Sequence, residues 1–362
     1  MDEILRQWQE RVQQASSQGT ALCLRGAGSK DWYGQDVLGE ILDTRAWRGI
    51  VAYEPSELVI TARCGTPLAE IEQVLAAQQQ ILAFEPPHFT NDATLGGMFS
   101  AGLAGPRRAS CGALRDFVLG ASLLDGRGEI LHFGGQVMKN VAGYDVSRLL
   151  AGALGTLGIV LQVSLKVMPK PQAEQSLRFE MHAHDALHNL QRWQGQGMPL
   201  LSSAWCDGQL TLRLAGSEVA VAAARKHLGG ASLAHGAGFW QSLREQRLAY
   251  FAQRGDSERS LWRLSLPANA PLLDLPGPQL IEWHGAQRWL QVEANVDEIA
   301  QAQQIRQIAH SVGGHACLFR GGDKSVGVFA PLSKVLTQIH LKLKQSFDPA
   351  GIFNRGRMYR EW

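Results

Sequence analysis

Three glycine-rich segments carry the residue types and spacing on which binding chemistry can be built. The first, Arg25-Gly26-Ala27-Gly28-Ser29-Lys30, follows directly on the strand-like stretch 20–24. A phosphate needs closely spaced backbone N–H groups, and glycine lets the chain approach it and take positive φ. Small residues and a lysine after a strand meet that need, although a tight turn reads equally well from these six residues alone. The segment is not a G-x-G-x-x-G dinucleotide fingerprint, because Asp31 stands where the third glycine belongs. It is not a P-loop either, because no Gly-Lys-Ser/Thr follows. The second segment runs Thr94-Leu95-Gly96-Gly97-Met98-Phe99-Ser100-Ala101-Gly102. Adjacent glycines behind a Thr N-cap predict free amides at a helix start, an anion seat. The third, Gly152 to Val160 with Gly155, Gly158 and Ile159, enters a strand. Each alone also fits close backbone packing. Together, each at a strand or helix junction, they read as the surface for one large ligand contacted by backbone along its length.

Side chains offer fewer leads. His182, His184 and His188 form the densest histidine group, with 184 and 188 one helical turn apart, but Asp185 is the one acidic neighbour and a solvated surface explains them. Glu282-Trp283-His284 lies on a strand, and His284 is a candidate general base; a packed edge-strand histidine is the alternative. His310 and His315 flank Gly313-Gly314 without an adjacent Glu, so no metal site is expected. Arg320, Lys324 and Arg355 are candidates for holding an anion, with Arg320 the preferred one. Trp240, Trp262, Trp283 and Trp289 read either as core or as a partner interface.

The elements that must position these residues follow from periodicity. Ile4, Leu5, Trp8 and Val12 mark a first helix. Strands are expected at 49–55 and 58–65, and Thr66-Pro67 predicts a helix to about 79, with Thr as N-cap and Pro in the first turn. A short strand is expected at 81–87, a hairpin across 117–134, a helix at 146–155 and a long strand at 159–169. Pro169-Lys170-Pro171 is the best domain boundary. Beyond it, strands at 176–182, 199–206 and 209–216 alternate with helices at 185–193 and 217–229. A second round follows at 260–312, with a Pro-rich loop (267–278) in place of its first helix, so a β-α-β-β-α-like pattern is duplicated. A last helix, 332–347, leads into a glycine-containing tail.

Composition excludes several classes. The 362 residues suffice for two domains, and 45% apolar with 19% charged residues excludes a disordered chain. A net charge of +2 shows no basic field for nucleic acid. Cys23, Cys64, Cys111, Cys206 and Cys317 are far apart with no C-x-x-C, which argues against a zinc ribbon, an iron–sulfur cluster or a disulfide framework. A start charged from Asp2 is not a signal peptide, and the most apolar stretch, 157–167, is broken by Gln162, Ser164 and Lys166, so no membrane span is expected.

Five stretches together carry a resemblance: RGAGSK (25–30), YEPSELVITARCGTPLAEIEQVL (53–75), PP…TLGG (86–97), LRDFVLGASLLDGRGEI (114–130) and NVAGYDVSRLLAGALGTLGIV (140–160). In order and spacing the first 170 residues resemble the FAD-binding domain of the vanillyl-alcohol oxidase / p-cresol methylhydroxylase superfamily. KNVAGYD, EWHGAQRWL (282–290) and the length look like the FAD-binding subunits of bacterial glycolate oxidases. The resemblance implies an α+β fold: a PCMH-type two-subdomain FAD-binding domain (1–171), an α+β cap or subunit-interaction domain (172–331), and a C-terminal helix and tail (332–362) returning to the flavin.

It also implies that Gly26, Ala27, Gly28, Ser29 and Lys30, with Thr94, Gly96, Gly97, Ser100, Ala101 and Gly102, hold the pyrophosphate and ribityl chain, and that Arg25, Pro86 and Gly112 also belong to the cofactor site. Gly155, Gly158, Ile159 and Val160 would line the ribityl and adenine side, and Asn354 would reach the ring. Many relatives carry a covalent flavin link through a histidine of the first loop; Ser29 stands in that place, so non-covalent FAD is expected, a link through Cys111 being the weaker option. The implied partners are a homologous catalytic FAD subunit, an iron–sulfur subunit and a small 2-hydroxy acid, in the cytoplasm or at the inner face of the membrane through those partners. A self-sufficient hydroxy-acid dehydrogenase using His284 and a scaffold that keeps the fold without chemistry remain as alternatives.

Overall fold

The structure is a computed structural model and describes residues 3–135, 145–252, 259–293 and 297–362. All of KNVAGYD except Asp145 lies outside the described residues.

Helix α1 (Glu3–Gln18) buries Leu5, Trp8, Val12 and Ala15 along one stripe, as the spacing requires. Strand β1 (Leu22–Arg25) pairs in parallel with β2 (Glu40–Asp43), and Phe353 of the C-terminal tail bridges Leu22 on the same strand. After them come β3 (Ile50–Glu54), β4 (Val59–Arg63), α2 (Leu68–Ala77), β5 (Gln80–Ile81), α3 (Leu95–Ala101), α4 (Arg108–Cys111), α5 (Leu114–Phe117), β6 (Val118–Leu124), β7 (Ile130–Gly134), α6 (Val146–Leu149), β8 (Ile159–Lys166) and β9 (Met168–Pro169). Antiparallel pairing in the order β3-β4-β8-β6-β7 makes a five-stranded sheet. Strands β4, β6 and β8 are buried nearly throughout, so they read as apolar runs rather than as alternation.

Three local expectations differ here. Thr66 does not cap α2: its hydroxyl donates to Gly49 O and accepts from Gly49 N, and Pro67 holds the N-cap position. The strand expected at 81–87 ends at Ile81, because the chain turns at Leu82, whose carbonyl accepts from Glu85 N. The helix expected at 146–155 stops at Leu149. Beyond it Gly152, Leu154 and Gly155 take positive φ, and the amides of Gly152 and Leu154 donate to Phe99 and Ser100 at the end of α3. Long-range bonds outweigh helix propensity there.

The second half comprises β10 (Ala173–Glu180), α7 (Ala183–Gly195), β11 (Leu200–Cys206), β12 (Gln209–Gly216), α8 (Glu218–Leu228), β13 (Ala231–Ser232), α9 (Gly236–Arg244), α10 (Ala249–Ala252), β14 (Arg259–Ser265), β15 (Gln279–Glu282), β16 (Gln287–Glu293), α11 (Glu298–Ser311) and β17 (His315–Arg320). Helix α12 (Lys334–Phe347) follows. One eight-stranded sheet runs β13-β10-β12-β11-β15-β16-β14-β17. Its two halves mirror each other about the β11–β15 pair, each ordered fourth, first, third, second in chain order. That is the duplication expected from the sequence, completed by β13 and β17, which were not anticipated.

Trp240, Trp262, Trp283 and Trp289 are all buried, and each indole N–H donates to a protein oxygen (of Ser176, Ser260, Gly105 and Glu282). They are core rather than an interface. The exposed large apolar side chains include four on α12: Val335, Leu336, Ile339 and Leu341.

The connections after β5 and before α4 are clamped to the eight-stranded sheet by charge. Arg107 and Arg213 bracket Glu85 and Glu174, with four nitrogen–oxygen distances of 2.6–2.8 Å. Beside this square, Glu245 at the end of α9 accepts from the amides of His88 (3.1 Å) and Phe89 (2.7 Å). The chain from Glu85 to Phe89 is therefore gripped at both ends by the second half of the molecule.

Candidate functional site

The three glycine segments meet. A cleft of about 490 Å³, within the size range of small-molecule sites, is lined by Arg25–Lys30, Thr94, Gly96, Gly97, Ser100, Ala101, Gly155, Gly158, Ile159, Val160 and Asn354. Gly28 sits at φ +74°, and a Cβ there would stand 2.6 Å from Arg25 Nη2. Among the described residues, the amides of Ala27, Gly28, Ser29 and Lys30 donate to no protein oxygen, which leaves them available to an anionic ligand.

The α3 segment works differently from the expectation. Thr94 does cap the helix, its hydroxyl accepting from Gly97 N, but the amides of Leu95 and Gly96 donate to Thr66 O and Cys64 O. The helix start is not a free anion seat. Its glycines permit close approach instead: a Cβ on Gly96 would lie 2.8 Å from Cys64 Cβ.

Asn354 ties the cleft together. Its side chain accepts from Leu24 N (2.8 Å) and donates to Leu154 O (2.7 Å), joining β1 to the loop before Gly155. The buried Lys344 holds the tail in place, donating to Thr156 O, Phe353 O and Asp348.

Pro86, Gly102 and Gly112 do not line the cleft. Pro86 is buried in the gripped 85–89 segment. Gly102, at φ +63°, lets the end of α3 pass the backbone of Gly152, and Gly112, at φ +104°, closes α4 against Asp116. Cys111 also lies outside the lining, whereas Cys23 and Cys64 belong to it. Burial pushes the Cys64 thiol up to about 12 and raises Cys23 as well, so neither is a ready thiolate.

The lining adds Leu24, Asp31, Asp36, Val37, Gly39, Ile41, Thr44, Leu154 and Arg357 to the expected set. Arg357 Nη2 donates to the carbonyls of Lys30 and Asp31 and so braces the first loop from behind. The tail motif RGRMY contains the signal, but the sequence reading chose Arg355, which instead bonds Gly351 O beside an outer groove. Lys324 pairs with Asp36 at 2.6 Å.

His284 stands outside the cleft, which corrects its reading as a base. It is buried at φ +56° in the turn between β15 and β16. Ser110 donates its hydroxyl to Leu200 O, so it accepts from His284 Nε2–H (3.1 Å), which leaves Nδ1 bare and without a partner. Burial pulls its pKa down to about 4, so the ring is neutral and packed. The neighbouring Glu282 is pushed up to about 7 by burial, and accepts from Trp289 and Gln287. Arg320 sits at the end of the sheet with its guanidinium 3.7 Å over the Trp32 ring. His182, His184 and His188 come together with no acidic group into a metal site among the described residues.

An aromatic layer outside the cleft lining packs between the first loop and the second half, with Trp32 Nε1 donating to Ser29 O. Trp32 meets Phe89 and Phe319 with centroids 5.3 and 5.0 Å apart, and Phe319 meets Trp289 at 4.7 Å. Between Phe89, Phe319, Trp289, Arg263 and Glu282 the space left is about 20 Å³, enough for one water.

Comparison with known proteins bears on this geometry. Residues 5–134 match the family described as FAD binding domain. The glycolate oxidase subunit GlcE of Escherichia coli K12 is 50% identical over 352 residues, covering 97% of this chain and 96% of that protein. The glycolate oxidase subunit GlcD of Bacillus subtilis is 34% identical over 125 residues, 34% of this chain and 27% of that protein. A D-lactate dehydrogenase of Anaerostipes hadrus is 31% identical over 139 residues, 38% of this chain and 29% of its own length. Among solved structures, an alkyldihydroxyacetonephosphate synthase superposes with a TM-score of 0.66 at 16% identity, over 96% of this chain and 73% of that one; at this identity the likeness speaks for the fold.

Proposed function

The chain belongs to the family of the glycolate oxidase subunit GlcE, and we propose that it is the FAD-binding subunit of a multi-subunit oxidase acting on glycolate or a related 2-hydroxy acid. The carrying observation is the convergence of three glycine segments on one backbone-lined cleft, in a chain half identical to that subunit along its length. The residues suit FAD. The amides of Ala27–Lys30 match a pyrophosphate, and the surface of Gly96, Gly97 and Ala101 admits a ribityl chain. When bound, FAD accepts electrons taken from a C–H bond of the hydroxy acid and passes them on. The protein holds and orients it: Arg357 and Asn354 fix the loop and tail. Ser29 in the first loop and the raised Cys23 and Cys64 thiols support non-covalent binding.

We assign residues 1–171 to the FAD-binding domain, 172–331 to the cap and 332–362 to the closing helix and tail, the cap having its own sheet. The buried neutral His284 favours a homologous partner subunit as the chain that oxidises the substrate, with an iron–sulfur subunit as acceptor. No described helix is long and apolar enough to cross a membrane; a cytoplasmic, peripheral position through the partners is part of the proposal.

A visible absorption spectrum of the purified chain, before and after anaerobic glycolate, tests this. A flavin spectrum that stays oxidised alone and bleaches once the partner subunits are added is expected. Bleaching by the isolated chain would move the chemistry into it, and no flavin after soaking in FAD would remove the assignment.

A further inference from the structure

Lys30 is a buried cation without an ion pair. Its residue is 8% exposed and lines the cleft. The ammonium donates to Ser29 Oγ (3.2 Å) and His88 O (3.3 Å) and stands 5.5 Å from the Phe89 ring centroid. Both acceptors are neutral, and among the described residues no carboxylate pairs with it. Burying an ammonium in this way is unfavourable unless a counter-charge arrives, and burial lowers its pKa to about 8.

The charged groups around it are otherwise engaged. Glu245, whose field reaches Lys30, holds the His88 and Phe89 amides and Arg244. The His88 ring pairs with Glu72, Arg25 with Asp31, and Arg320 lies over Trp32. Arg357 points its guanidinium at backbone carbonyls. The missing counter-charge must therefore come from the ligand. The pyrophosphate has its own seat on the loop amides, while the Lys30 ammonium is held apart from them, at Ser29 Oγ and His88 O and beside the Phe89 ring.

We propose that Lys30 is the charge that makes this site bind reduced FAD more tightly than oxidised FAD, and that Glu245 of the cap positions it through the His88–Phe89 backbone. The inference rests on the FAD assignment above. A 2-hydroxy acid loses two electrons and two protons on becoming the 2-oxo acid. Those electrons would reach the FAD of this chain through the partner subunit; a bound cofactor that had received both with one proton, the second proton going to water, would be one unit more negative. A nearby ammonium stabilises that form selectively. The cap thereby acts on the cofactor's driving force through main-chain contacts, with no side chain of its own on the ring.

The test measures the potential of bound FAD by dye equilibration, and the affinity for oxidised FAD, in wild type, Lys30→Met, Lys30→Arg and Glu245→Gln. For Lys30→Met the preference for reduced over oxidised cofactor should fall about tenfold, a potential lower by about 30 mV for a two-electron couple. Lys30→Arg should keep the wild-type value, and Glu245→Gln should move in the same direction by less. A Lys30→Met protein that holds FAD at an unchanged potential overturns the proposal. So does one whose affinity for both redox forms falls equally, because Lys30 would then be a holding residue. A wild-type chain that takes up no FAD fails the earlier assignment instead.

Discussion

Around the cofactor cleft, Gly28, Leu154, Gly155 and Asn354 all take positive φ, and what the cleft offers a ligand is main chain: loop amides and glycine surfaces. The seam where the second half meets residues 85–89 and Arg107 is built from side chains instead. Glu174, Arg213, Glu282, Gln287 and the buried tryptophans are spent on one another or on gripping residues 85–89. One region is open and backbone-built, the other closed and side-chain-built. The difference teaches where specificity for the cofactor resides. A main-chain site is indifferent to most side-chain changes but intolerant at its glycines, whereas a packed polar clamp responds to removal of any one charge.

The sharpest way to break this comparison is Gly28→Glu. A side chain at φ +74° is strained, it must push the Arg25 guanidinium aside, and its carboxylate brings negative charge to the anion seat. Flavin per protein should fall by a factor of ~10 or more, with the far-ultraviolet circular dichroism unchanged. Normal flavin content would mean that the loop amides are not the seat.

Arg213→Met attacks the other region. It leaves Glu85 and Glu174 buried with half their partners, and the stability measured by urea unfolding should fall by about 3 kcal/mol. FAD content per folded chain should stay at the wild-type level; a parallel loss of flavin would show that the clamp and the cleft are one unit.

A subtler effect comes from two neighbours titrating with opposite sign. His284, held down at about 4, refuses in the folded state a proton that the unfolded chain binds below 6.5, so falling pH destabilises through it. Glu282, pushed up to about 7, keeps in the folded state a proton that the unfolded chain releases above 4.5, so falling pH stabilises through it. The two contributions offset each other. His284→Gln should therefore gain about 2 kcal/mol relative to wild type between pH 6.5 and 5, and Glu282→Gln should lose a similar amount. Urea unfolding across that range measures both. In the assembled enzyme, His284→Gln should bleach flavin with glycolate at the wild-type rate; a large loss of rate would restore its reading as a base.

The smallest effect separates two arginines of the tail. Arg357→Ala removes the brace behind the first loop and should weaken FAD binding about fivefold, while Arg355→Ala should change it by less than about twofold. Equal effects would mean that the tail acts as a general positive charge.

Much of the architecture was readable before folding. The β-α-β-β-α-like duplication shows in strand and helix periodicities, because those depend on neighbours two to four residues away. The glycine segments announce themselves because few other residue types tolerate the conformations they need. Less of the site was readable. That α3 spends its amides on Thr66 and Cys64, and that residues 150–155 leave the helix for bonds to Phe99 and Ser100, depends on chain far away in sequence. Arg357 and Arg355 are indistinguishable as letters; one faces the loop and the other the outside because Asn354 takes φ +39° between β1 and Leu154. The sequence by itself determined the elements and the presence of a backbone-built ligand seat. Only the tertiary structure decided which amides stay free, which histidine is buried and neutral, and that Lys30 has no carboxylate partner among the described residues, because burial and pairing are properties of contacts that local sequence does not contain.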